Sequence, residues 1–199
     1  MNLLSIVLNV FIVLGTICSI WGFSQPKDGK TAMQNFKDLF RYYTIQSNVF
    51  VAVAALVTVV YQLKSGTVPF RVTAFKYYGT ALVAVTMTVV MVYLGPVYTY
   101  KFQLESWNLY LHLIGPLLAI VSLCFFEKNG ALPFMYAVYA LIPTFIYGFF
   151  YLYKVMIAKK WEDFYCFVTK IKWYVSLTAV GTIAFLLALL IRFLYNIGL

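Results

Sequence analysis

The second apolar run of this chain begins with Arg41-Tyr-Tyr-Thr-Ile-Gln-Ser-Asn48 and continues without a charged residue to Leu63. An apolar run of about 20 residues is long enough to cross the hydrocarbon core of a bilayer as an α-helix. A second polar group, Asn108-Leu-Tyr-Leu-His112, lies near the start of a later apolar run. These two stretches hold much of the polar chemistry at membrane depth. They predict a membrane protein whose chemistry lies near the ends of two helices.

The composition places the whole chain in the same class. Of its 199 residues, 63% are hydrophobic and 11% are charged, whereas soluble domains carry about 25% charged residues. The first apolar run has no basic segment before it and no clear small-residue cleavage site, so we expect a retained span. The sequence predicts an all-α bundle in one domain, 1–199, with six spans at about 2–21, 42–63, 72–95, 107–126, 132–153 and 173–195.

The net charge of +9 has a topological explanation. Lys and Arg lie mostly in loops between apolar runs, which indicates contact with anionic lipid headgroups and not with nucleic acid. Loops one, three and five carry more Lys and Arg residues than the opposite side of the membrane. The count for the opposite side includes Lys64, Arg71 and Lys76 around loop two. The positive-inside rule then favours cytoplasmic odd loops and external termini. We expect a multi-pass protein, in the cell membrane if the source is bacterial, with both termini on one side.

Aromatic residues are concentrated at the predicted span ends, where amphipathic rings act as anchors at headgroup depth. Loop five, from Lys154 to Lys172, mixes charges with aromatic residues and is typical of an interfacial helix or a lipid-facing loop. The predicted anchors are Trp21, Tyr42, Tyr43, Tyr77, Tyr78, Trp107, Trp161 and Trp173.

Thr44 and His112 are predicted to lie at the same depth. Both follow the start of a span that runs away from the odd loops, and at 1.5 Å per residue both lie within roughly 10 Å of one membrane face. Thr44 shares a helix face with Ser47 and Asn48, at spacings of three and four residues. This face continues through small residues that can admit another helix or an acyl chain, namely Val51, Ala52 and Ala55.

His112 shares its own face with Glu105 and Asn108. Pro116 has no N–H for the carbonyl of His112, so we expect a kink that exposes this carbonyl. An interfacial His bonded to a headgroup or to a backbone carbonyl remains the alternative to a functional one. Ionisable groups inside spans are nevertheless functional more often than elsewhere.

A hydroxyl nucleophile needs a base, and neutral imidazole is the usual one. Thr44 and His112 are therefore candidate catalytic residues for acyl transfer near the headgroups. Helix N-terminal N–H groups can stabilise an oxyanion, and Ser47, Asn48 and Asn108 are candidate substrate-binding or oxyanion residues. The alternatives are that Thr44 bonds back to its own helix and that the other polar residues only pack helices.

Metal and cofactor chemistry is not indicated. A zinc site needs three or four convergent ligands, whereas the chain has one His and three widely spaced Cys. The glycine-rich phosphate and dinucleotide motifs and the GxSxG motif are absent from the sequence. We expect no metal and no cofactor.

Two motifs resemble a known family. Tyr43-Thr44-Ile-Gln-Ser-Asn48 at the start of span two and His112-x-x-x-Pro116 at the start of span four are similar to the androgen-induced protein family, which includes the androgen-dependent TFPI-regulating protein, and its bacterial six-span relatives. Its animal members are membrane threonine hydrolases that cleave fatty acid esters of hydroxy fatty acids. The resemblance implies that Thr44 is the nucleophile and His112 its base, with a lipid ester in the membrane as substrate. The bacterial relatives often have an acidic residue later in span four, where this chain reads Ile120-Val-Ser-Leu-Cys124.

Two other functions fit the same features. Six spans in about 200 residues also suit a non-enzymatic carrier, such as the substrate-binding subunit of a vitamin transporter, which would need an energising partner. A structural or assembly protein would use the polar residues only to pack helices.

Overall fold

Six long apolar helices and one short helix form the structure, a computed structural model that describes residues 2–197. In chain order the helices are α1 (Leu3–Phe23), α2 (Ala32–Leu39), α3 (Tyr43–Ser65), α4 (Phe70–Tyr98), α5 (Trp107–Phe126), α6 (Phe134–Ile157) and α7 (Trp173–Asn196). All except α2 are long and apolar enough to cross a membrane. The predicted all-α, multi-pass bundle of six spanning helices is therefore confirmed.

In α5 a wider π turn, Tyr110–Ile114, directly precedes a Gly-Pro pair. The N–H of Gly115 donates to the carbonyl of Tyr110, five residues earlier. Pro116 has no N–H with which to continue the regular bonding pattern, and a π turn absorbs this misfit without ending the helix. The disruption predicted at Pro116 thus takes the form of a π turn that contains His112.

α4 repeats this arrangement. Its π turn, Val90–Leu94, ends where the N–H of Gly95 donates to the carbonyl of Val90. The helix then continues through Pro96 to Tyr98. The helix therefore ends three residues beyond the approximate bound of 95 that the sequence suggested, because a proline is tolerated in the first turn of the helical segment that follows the π turn.

The small-residue face of α3 packs against other helices and not against an open acyl-chain groove. Val51 and Ala55 are buried in a hydrophobic cluster that also contains Ile12 of α1 and Val83 of α4. A Cβ added to Gly79 of α4 would lie 2.9 Å from the Cα of Val51. Such close backbone approach is the usual role of small residues between helices in membranes.

Loop five contains no helix over residues 158–172, so the interfacial-helix alternative is wrong, and its middle part folds inward over the end of the bundle. Tyr165 and Cys166 are buried, and the ring of Tyr165 lies 5.2 Å from that of Tyr151 in α6. The carboxylate of Asp163 accepts hydrogen bonds from the backbone N–H groups of residues 167–169. It also accepts a hydrogen bond of 2.6 Å from the hydroxyl of Tyr151. These bonds turn the chain back on itself and direct Tyr165 into the bundle.

The opposite end, near loop four, contains a buried ion pair. Lys76 Nζ lies 3.4 Å from Glu127 Oε1, and both residues are buried. Asn9 of α1 joins them by accepting from Lys76 and donating to Glu127 at 2.6 Å. Ser5 and Ser122 also donate to the same carboxylate oxygen. Lys76 is therefore not a headgroup-facing loop charge, as the topology count assumed, because its position on α4 directs it towards α1.

The predicted aromatic anchors differ in exposure. Trp21, Trp107 and Trp173 are exposed at helix ends, as headgroup anchors are. Tyr77 is fully buried, and its hydroxyl donates to the carbonyl of Ala188 at 2.8 Å. Its prediction as an anchor is wrong, because Tyr77 lies on the face of α4 that packs against α7.

Candidate functional site

The site begins with the N-terminus of α3, which has no side-chain cap of its own. Tyr42 occupies the N-cap position and makes no side-chain cap bond, whereas helices usually begin after Ser, Thr, Asp or Asn. The hydroxyl of Tyr165 from loop five takes this role, accepting the N–H of Tyr43 at 2.8 Å. Loop five thus contacts the first turn of the helix that carries Thr44.

Thr44 lies in this first turn and is only partly buried. The carbonyl of Thr44 accepts two side-chain hydrogen bonds, from Asn48 Nδ2 at 2.8 Å and from Ser47 Oγ at 3.1 Å. These bonds fix the backbone of Thr44 from the next turn of the helix. The arrangement leaves the side chain at the surface of a cavity.

Asn48 connects the two helices that carry the predicted catalytic pair. Its Nδ2 also donates to the carbonyl of Leu111 in α5 at 3.1 Å. α3 and α5 are therefore neighbours at this level, as the predicted meeting of Thr44 and His112 requires. The buried Oδ1 of Asn48 has no hydrogen-bond partner among the described residues.

His112 lies in the π turn of α5 and is buried. Its Nδ1 lies 2.7 Å from the carbonyl oxygen of Gln103. A carbonyl can only accept, so this bond places the imidazole proton on Nδ1. In the neutral imidazole Nε2 is then the unprotonated nitrogen, the form that a general base needs.

The segment that presents Gln103 is bounded by two residues with unusual backbone conformations. Thr99 has a φ of 101° and Ser106 a φ of 54°. Positive φ is rare outside glycine, and for a β-branched residue it indicates strain. Backbone strain of this kind is concentrated at functional sites. Here it accompanies the helical turn Tyr100–Gln103, whose last carbonyl orients the histidine.

A cavity of about 480 Å³ opens at this end of the bundle and contains both predicted catalytic residues. This volume lies within the range of small-molecule sites, roughly 300–1,000 Å³. Its lining includes Thr44, His112 and Asn108, and Lys27 is its one charged residue. Most of the remaining wall comes from the last residues of α1, α2 and α4 and from loops three and five, through Phe23, Leu39, Tyr98, Phe102, Gln103, Phe164 and Tyr165.

A second, narrow cleft of about 70 Å³ reaches Thr44 from the side of α4, α6 and α7. Its lining is mainly apolar, and three of its polar side chains are bonded to protein partners. Tyr43 and Thr144 share a hydroxyl bond of 2.8 Å, and Ser176 donates to the carbonyl of Phe167 at 3.0 Å. Thr44, Leu94 and Tyr165 line both the cleft and the large cavity.

The structure separates the five predicted site residues into two groups. Thr44, His112 and Asn108 line the large cavity, and Asn108 Nδ2 donates to the carbonyl of Phe102 at 3.2 Å. Ser47 and Asn48 are buried behind Thr44 and are not among the lining residues. Ser47 bonds to Thr86 of α4 at 2.9 Å, so its position fits the alternative of polar contacts between helices.

Within residues 2–197, no acidic side chain makes a hydrogen bond or ion pair with the histidine. Glu105 is exposed and is not part of the cavity lining. Glu127, the first acidic residue after the apolar part of α5, belongs to the ion pair at the opposite end. The Gln103 carbonyl occupies the position at Nδ1 that a carboxylate has in a triad.

Sequence reasoning missed Tyr165 and Gln103. The absence of a capping residue before Tyr43 was a signal that another part of the chain must satisfy this helix end. Nothing in the sequence pointed to Gln103, because the bond to His112 comes from its backbone.

Among residues 2–197 there is no cluster of three or more His, Cys, Asp or Glu side chains that could hold a metal ion. No protein-family model, curated protein or solved structure matches this chain.

Proposed function

We propose that this protein hydrolyses lipid esters in the membrane, with Thr44 as nucleophile and His112 as general base. The observation that carries the proposal is the position of Thr44, where a cavity containing His112 meets an apolar cleft. An ester bond placed at Thr44 can direct the first methylenes of its acyl chain into the cleft and its alcohol part into the cavity. The two motifs that resemble the androgen-induced protein family imply the same pair of residues.

The first step uses the unprotonated Nε2 of His112. It takes the proton of the Thr44 hydroxyl while Oγ1 attacks the ester carbonyl carbon, which gives a tetrahedral oxyanion. Collapse of this intermediate breaks the bond to the alcohol oxygen, and His112 returns its proton to that leaving group. The products of this step are a free alcohol and an acyl ester on Thr44.

The second step repeats the chemistry with water. His112 removes a proton from a water molecule that attacks the acyl-threonine, and collapse releases the fatty acid and restores the Thr44 hydroxyl. The oxyanion of both steps needs donors. Tyr165 is a candidate because its hydroxyl lies at the N-terminus of α3, where it accepts from Tyr43, and because the residue lines the large cavity beside Thr44. The Asn108 amide is a second candidate in the cavity lining.

The chemistry of the two spaces supports a fatty acid ester of a hydroxy fatty acid as substrate. Such an ester has two long chains and keeps one free carboxylate. The apolar cleft suits the first methylenes of the acyl chain, and Lys27 offers a positive charge for the carboxylate in the large cavity.

Turnover of such an ester by the purified protein in lipid vesicles tests the proposal. We expect Thr44→Ala and His112→Ala to lose about 10²–10⁴-fold in rate or more, and Thr44→Ser to retain part of it. Thr58→Ala is the matched control, because Thr58 is a buried threonine of the same helix that bonds only to the Ala54 carbonyl. Wild-type rates in either catalytic alanine variant would contradict the proposal.

A further inference from the structure

The short helix α2 has two faces of different character. Asn35 and Leu39, four residues apart, point towards the protein: Asn35 Nδ2 donates to the Gln25 carbonyl at 2.7 Å, and Leu39 lines the large cavity. An adjacent, exposed side of the helix carries Met33 and Phe36, which are 61% and 40% exposed. Phe40, directly after the helix, continues this face at 37% exposure. In a helix, residues spaced by three and seven positions share one side.

The position of α2 sets this apolar face beside the ends of two membrane-spanning helices. α2 connects the end of α1 at Phe23 with the start of α3 at Tyr43, so it lies where two spanning helices reach the membrane surface. Trp21 and Trp107, which mark such a level in membrane proteins, are 66% and 38% exposed at the same end of the bundle.

The charges around α2 suit a lipid surface. Lys30 is paired with Asp38 at 2.6 Å, while Lys27 and Lys37 are exposed. Basic residues beside an exposed apolar face are typical of helices that lie in the membrane interface, where phosphate headgroups meet acyl chains.

We infer that Met33, Phe36 and Phe40 contact the acyl chains of the surrounding leaflet. α2 would then form the wall between the leaflet and the large cavity, with Leu39 on the cavity side and the three apolar side chains on the lipid side. The inference does not depend on ester hydrolysis, and it gives the cavity a lipid-facing wall whatever its ligand.

Spin labelling tests this contact. Single cysteines are introduced at Met33, Phe36 and Phe40 in the Cys18→Ser background, since Cys18 is the exposed native thiol and the other two are buried. The Cys18→Ser protein without a new cysteine measures background labelling. The labelled proteins are placed in vesicles of phosphatidylcholine and phosphatidylglycerol. Collisions of each nitroxide with oxygen and with a water-soluble nickel complex are then compared.

Two further positions calibrate the measurement. Leu186→Cys reports the lipid-facing middle of α7, and Glu105→Cys reports an exposed loop at the same end as α2. We expect all three α2 labels to show oxygen-to-nickel collision ratios several-fold above that of Glu105 and nearer that of Leu186. Ratios equal to that of Glu105 would overturn the inference. Spin–spin broadening between labels would overturn it as well, since it would assign the face to a second copy of the chain.

Discussion

At the scale of single residues, the site depends on three contacts made by main-chain groups. The carbonyl of Gln103 orients His112, the carbonyl of Thr44 is held by Asn48, and the N–H of Tyr43 is held by Tyr165. Thr44 and His112 could be selected from the sequence, because polar residues are conspicuous near the start of apolar runs. Contacts by main-chain groups leave no mark on residue type, so Gln103 could not be predicted.

Tyr165→Phe tests the role of the loop-five hydroxyl. If this hydroxyl donates to the oxyanion only in the transition state, its removal lowers kcat and leaves KM nearly unchanged. Loss of one such donor costs about 10²–10³ in kcat. Tyr153→Phe, at an exposed tyrosine of α6, is the control. An unchanged kcat in Tyr165→Phe would leave the hydroxyl only its capping role.

Asp163 makes the fold of loop five dependent on pH. Burial opposes its ionisation, but hydrogen bonds from Tyr151 and from the Val168 and Thr169 N–H groups outweigh burial and hold the pKa of this carboxyl below its usual value. Because the folded-state pKa is lowered, the ionised group stabilises the loop at neutral pH. This contribution is lost as the pH falls below about 3.9, the ordinary Asp value, and through the lowered pKa.

Asp163→Asn should therefore loosen loop five at pH 7 and differ little from wild type in strong acid. Hydrogen exchange at residues 167–169, measured from pH 7 downwards, follows this directly, because their N–H groups donate to the carboxylate. Equal protection of variant and wild type at pH 7 would show that the carboxylate charge does not hold the loop.

At the scale of helices, apolar run length predicted all six spans, because a bilayer imposes a minimum length on every crossing helix. The ends of the helices were less predictable. α4 continues past Pro96 by means of a π turn, and loop five turns inward around Asp163. Both outcomes depend on hydrogen bonds formed only after folding. Lys76 was assigned to the membrane surface because its partner Glu127 is distant in sequence.

The buried pair of Lys76 and Glu127 predicts a strongly non-additive response to mutation. Removing one partner leaves an uncompensated charge in a dry environment, which typically costs about 3–5 kcal/mol. Lys76→Met and Glu127→Gln should each lower the unfolding free energy by this order, and the double variant should recover much of the loss. Unfolding of the four proteins in mixed detergent micelles completes the double-mutant cycle. Additive losses would indicate that the two side chains act independently.

At the scale of the whole molecule, the two ends of the bundle have different properties. The end with loops one, three and five holds the cavity, the strained residues and the proposed catalytic pair. The end with loop four is packed around the buried ion pair and Asn9. A tightly packed end and an open cavity at the other end are compatible with the proposed hydrolase, which would take its substrate from one leaflet.

The central claim is that Thr44 has an activated hydroxyl, and a fluorophosphonate probe tests it without knowledge of the natural ester. Such probes react with activated hydroxyls and scarcely with ordinary threonine. Purified wild-type protein, Thr44→Ala and His112→Ala are treated with the probe, and the adduct is located by mass spectrometry. We predict an adduct on Thr44 in wild type and none in either variant. A folded wild-type protein without an adduct, or labelling that persists in Thr44→Ala, would contradict the claim.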